Sequence, residues 1–88
     1  MNKKELAWAF ITGKSGTCHN AHTDGQTYTL HKSPIVRKLP DGKYAFYWHG
    51  FYTRTTAAHM NEVLKMMGSH TRVSYAQARD ACADVFVI

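Results

Sequence analysis

The pattern that most constrains this chain is Leu39-Pro40-Asp41-Gly42-Lys43, set between two runs of strand-forming residues. Pro40 presets φ for the first turn position, Asp41 accepts local backbone N–H groups, and Gly42 supplies the left-handed conformation. Residues 34–39 and 43–49 are therefore expected to pair as an antiparallel hairpin. Tyr28, Leu30, Ile35, Val36, Phe46 and Trp48 suit the pleated, half-buried surface this requires. Pro34 either breaks the earlier run into two pieces or places it at a sheet edge. Gly50 ends or bulges the last strand.

The segment TTAAHMNEVLKMMG then predicts a helix, with Thr55 or Thr56 as N-cap and Gly68 beyond its C-terminus. Met60, Val63, Leu64 and Met67 fall on one side at helical spacing, and His59, Glu62 and Lys65 on the others. Ser74 and Gln77 have the spacing of a capping box. They open a second short helix to about residue 83, with Tyr75, Ala78 and Cys82 turned inward. The C-terminal VFVI is either a final strand or a partner contact. At the other terminus, residues 6–13 read as a strand with Trp8, Phe10 and Thr12 on one face; a short helical start is the alternative. Residues 13–25 read as a loop punctuated by Gly13, Gly16, Asn20, Asp24 and Gly25.

These elements make one α+β domain over residues 1–88. It has a small antiparallel sheet of three to five strands, one main α-helix packed on one face and a short second helix. With 88 residues the chain has room for a single core and buries only about 60–65% of its unfolded surface, so a partner can supplement its stability.

Residues 23–61 resemble small uncharacterised proteins of bacteriophages and other mobile elements. The likeness begins with Thr23-Asp24-Gly25, the strand residue Tyr28 and the step Ser33-Pro34-Ile35. It continues through Gly42 of the hairpin turn to Gly50, Tyr52 and Thr53. Thr55 and Thr56 then lead into a helix carrying His59 and Asn61. Arg54 and Ala58 depart from the pattern. About half the chain is covered, and the family has no established activity. The resemblance implies an origin, that of a phage-type accessory protein in the host-cell cytoplasm, and no mechanism.

Several chemistries can be weighed residue by residue. Gly13-Lys14-Ser15 is not a phosphate loop: Trp8 stands where the first glycine is required, and Gly16 denies the helix that should follow. Cys18, His19 and His22 could share an ion with His31, His49 or Cys82, yet the second tight ligand pair of a small structural zinc site is missing. A solvated loop with one partly buried cysteine, without metal or cofactor, is favoured. A cysteine nucleophile paired with a histidine is a formal candidate, but Glu5, Asp24, Asp41, Glu62, Asp80 and Asp84 include no close carboxylate pair. No catalytic constellation emerges, so a non-enzyme is expected. Cys18 and Cys82 could form one disulfide at most. The N-terminal apolar run is about six residues long and interrupted by Glu5, so no export signal or membrane span is expected. Two free thiols in a reducing cytoplasm follow.

Binding is left. Net charge is +5, with no run of five like charges. Along residues 43–52, Tyr44, Phe46, Trp48 and Tyr52 share one face, and Tyr47, His49 and Phe51 the other. With the first face under the helix, the second presents an aromatic row near Lys32, Arg37, Lys38 and Lys43, unless the termini cover it. Such a face would anchor a host protein or, as the second choice, stack single-stranded nucleic acid. A helix-turn-helix is disfavoured by its connection of about seven residues. The long loop bearing Lys14, His19 and His22 is a further contact candidate, and a homodimer is an option for the apolar tail.

Overall fold

The computed structural model describes all 88 residues. Its elements are α1 (Lys3–Ile11), β1 (Gly16–Cys18), β2 (Ala21–Thr23), β3 (Thr27–Leu30), β4 (Ser33–Lys38), β5 (Tyr44–Tyr47), α2 (Arg54–Met66), α3 (Tyr75–Asp80) and β6 (Val85–Val87). The six strands form one antiparallel sheet in sequence order. The α+β class stands, with six strands where three to five were expected and a second long helix.

The hairpin at Pro40-Asp41-Gly42 forms as predicted. Val36, Arg37 and Lys38 pair with Phe46, Ala45 and Tyr44, Asp41 Oδ1 accepts from Lys43 N at 3.0 Å, and Gly42 sits at φ 86°. Pro34 lies in a central strand, where the β3–β4 register shifts; a bulge tolerates a residue without an N–H. The C-terminal segment pairs within the chain, Phe46 opposite Phe86 with their rings stacked at 4.6 Å.

Two N-terminal expectations are corrected. Residues 3–11 are a helix, because Asn2 and Glu5 form a reciprocal capping box and Leu6, Ala7 and Phe10 make a buried helical stripe. Trp8, expected on the same face as Phe10, is exposed. The loop at 13–25 contains the β1–β2 hairpin, with Cys18 opposite Ala21. Helix α2 starts earlier than expected, because the Thr53 hydroxyl caps it by accepting from Thr56 N at 3.2 Å. Ser74 caps α3 as predicted, but α3 stops at Asp80, and Cys82 is exposed where an inward position was expected.

Both long helices cover one face of the sheet. Tyr28 on β3 meets Phe10 of α1 edge-on at 5.8 Å and His59 of α2 at 5.6 Å. Val36, Phe46 and Trp48 continue this buried layer, and Met60, Val63 and Leu64 supply it from α2. No helix is long and apolar enough to cross a membrane.

Candidate functional site: the open sheet face and its histidine end

The alternation that buries Val36 and Phe46 and half-buries Phe86 turns their neighbours to the other face. Thr27, Arg37, Ala45 and Val87 stand in register across four strands, although Ala45 itself is buried, and Tyr47 stands opposite Val85 beside them. No helix packs on this face, and Val85 and Val87 are 51% and 52% exposed. The Arg37 guanidinium lies 5.9 Å from the centre of the Tyr47 ring, which stacks on His49 at 5.8 Å. His49 Nε2 bonds the Pro34 carbonyl at 2.5 Å. His22 joins the same face, paired with Thr29 and bonded to the Thr17 hydroxyl at 3.0 Å. The acidic residues lie elsewhere: Glu5 and Glu62 on the helices, Asp24 and Asp41 in turns, and Asp80 at the end of α3. Asp84 is held before β6, where it accepts from Gly50 N and the Tyr52 hydroxyl.

Of the residues expected to build this face, the structure gathers Tyr47, His49 and Arg37, with His22 from the former loop. Phe51 is a correction. His49 and Gly50 both take positive φ after β5, the two-residue parity ends, and Phe51 lines a groove with Trp48 and Ile35. Lys38 is another correction. It shares the parity of Val36, and its ammonium donates to the Gly25 carbonyl at 2.8 Å and lies 5.0 Å over the Phe10 ring. Burial pushes its pKa down. Lys43 is exposed beyond the far turn and Lys32 in the β3–β4 turn. Lys14 falls at the opposite end of β1 from His19 and is separated from it, whereas His19 and His22 line one shallow cavity with His31 and Lys32.

The expected solvated loop with one partly buried cysteine is instead a hairpin that does bury its cysteine. Cys18 is buried under the helices and His22 stands on the open face. No three His, Cys, Asp or Glu side chains converge as metal ligands.

One end of the sheet is chemically distinct. His19, His31, Lys32, His49 and Cys82 are the non-glycine residues with positive φ. The strand order places all five in the turns and connections at this end. Each such residue costs on the order of 1 kcal/mol of backbone strain. The N-termini of α1 and α2 reach the same end. There a cavity of about 320 Å³ is lined by Leu30, Ile35, Trp48, Phe51 and Thr56, and a second of about 450 Å³ by Lys3, Cys18, His19, Asn20 and His59. Leu30, His31 and Thr55 line both.

His59, expected on α2 away from its apolar side and left out of the site, is instead buried on that side. Only 6% exposed, it bonds the Tyr28 hydroxyl through Nδ1 at 2.5 Å. Burial, with the charges of Lys3 and His31 nearby, lowers its pKa to about 4. Its signal was its spacing: Thr56, His59 and Val63 are separated by three and four residues, which puts this polar ring on the buried stripe.

No family model matches the chain, and no curated protein or solved structure matches it at the significance required of a relative.

Proposed function

We propose that this chain is a non-catalytic binding module whose open sheet face docks on a partner protein bearing an apolar patch rimmed by carboxylates. The observation that carries this is the outward set Arg37, Tyr47, Val85 and Val87. It is an aliphatic and aromatic surface with a guanidinium beside the tyrosine ring and no acidic side chain, in a chain of net charge +5. Exposed apolar area with Tyr and Arg is the composition of an interface core, and its charge selects an acidic rim. Stacking of nucleic acid is less well supported. One tyrosine and a histidine remain of the aromatic row, and Lys38 points inward. The resemblance to phage-type accessory proteins adds a host protein as the partner, inhibited or redirected by stoichiometric occupation.

The test compares capture from nuclease-treated host lysate by the wild type and by a Tyr47→Ala/Val87→Ser variant, with Lys65→Ala on the helix side as control. A nuclease-resistant protein held by wild type and Lys65→Ala but lost by the double variant supports the proposal. Capture unaffected by the double variant, or abolished by nuclease, refutes it.

A further inference from the structure

Two cavities adjoin at the histidine end and share Leu30, His31 and Thr55. The first is mixed: Leu30, Ile35, Trp48 and the exposed Phe51 give it an apolar side, and serine, threonine and histidine side chains line the rest. The second is a ring of polar groups, with Lys3, His31, Thr55 and His59 among them. No aspartate or glutamate lines either one. The volumes fall in the range of small-molecule pockets.

His59 is the group that points to a ligand. Its ring is almost entirely buried, yet it lines the second cavity, and its only hydrogen bond inside the protein is from Nδ1 to Tyr28. Tyr28 fixes which proton remains. The tyrosine hydroxyl is fully buried and has His59 as its only partner. Burial holds it protonated, so it needs an acceptor. Were Nδ1–H the donor, the Tyr28 proton would be left buried without a partner, which is costly. The network therefore assigns Tyr28 as donor, Nδ1 as acceptor and the proton of the neutral imidazole to Nε2. His59, which lines the cavity, thus keeps an Nε2–H donor that no group of the protein accepts.

That donor is accompanied by the Lys3 ammonium, His31 and the Thr55 hydroxyl. The leading N–H groups of α2, a 13-residue helix, add their dipole. We infer that the two cavities form one binding site for a small organic phosphate. Its head would accept from His59 Nε2, Lys3 and Thr55, and its planar apolar body would lie against Ile35, Trp48 and Phe51. This site is independent of the open sheet face, so either can fail alone.

Titration of the full chain with phenyl phosphate, followed through backbone amide and Trp48 indole resonances, tests the inference. Phenyl phosphate at about 10 mM or below is expected to shift the signals of His31, Thr55 and Trp48 saturably, and inorganic phosphate to bind at least about tenfold more weakly. Phenol is expected to leave the spectrum unchanged. Lys3→Gln/His31→Asn removes two surface donors while keeping a residue tolerant of positive φ at 31; it should weaken phenyl phosphate about tenfold without lowering the melting temperature. The inference is overturned by any of four results: no saturable shift, shifts centred on Arg37 and Tyr47, equal binding of inorganic phosphate or phenol, or undiminished binding by the double variant.

Discussion

His59 makes the stability of the fold depend on pH. Its folded-state pKa of about 4 lies below the ordinary imidazole value of 6.5. As pH falls below 6.5 the unfolded chain takes up the proton first. The neutral buried imidazole thus contributes stability that is complete above pH 6.5 and is lost progressively towards pH 4. The loss is on the order of 2 kcal/mol, allowing for solvent in the adjoining cavity. Urea midpoints measured at several pH values across this window should fall with acid in the wild type. In His59→Phe the fall should be shallower, and an equally steep fall would remove His59 as its cause. Gly25 is constrained in a different way. It holds φ 93°, and an added Cβ would lie 2.6 Å from the Gly13 carbonyl oxygen. Thr23 and Asp24 brace the same turn by accepting from the amides of Gly25, Gln26 and Thr27. Gly25→Ala should cost about 2–4 kcal/mol in denaturant unfolding, whereas Gly42→Ala, with nothing within 4 Å of an added Cβ, should cost only its backbone strain of about 1 kcal/mol.

At the level of elements, legibility followed the strength of local chemistry. The 33–47 hairpin was readable because Pro40, Asp41 and Gly42 each impose a different constraint on one turn. Helix α2 was readable because its apolar residues recur at three and four. Helix α1 was misread because Trp8, Phe10 and Thr12 alternate by chance over a short run, while the decisive signal lay upstream in Asn2 and Glu5. Asn2→Ala removes that capping box, so it should destabilise the protein by about 1 kcal/mol in a chemical melt. The β1–β2 hairpin carried little signal, its strands being short and its turn using His19 in place of glycine or asparagine–glycine. The β3–β4 turn has the same property, with His31 and Lys32 at φ 50° and 67°. Replacing His31-Lys32 by Asn-Gly should stabilise the fold by about 1 kcal/mol.

For the molecule as a whole, the open face was half legible. Parity along β5 placed Tyr47 correctly because the strand is regular up to it; His49, just beyond the strand, stays beside it by ring stacking, and Phe51 departs because positive φ at His49 and Gly50 resets the alternation. Parity would also have turned Lys38 inward, two residues after Val36, had its charge not suggested a surface position. The lost cation lightens the electrostatic character of the face. Association through it should weaken by less than about tenfold between 50 and 200 mM salt, since Arg37 and its few neighbours can replace only a small number of counterions. The helix-free face is the docking surface proposed for this chain. It is tested most directly by the dissociation constant of the nuclease-resistant partner for Tyr47→Ala/Val87→Ser relative to the wild type. A loss of at least about tenfold with unchanged melting temperature is the predicted result. Equal affinity in the folded double variant would contradict it.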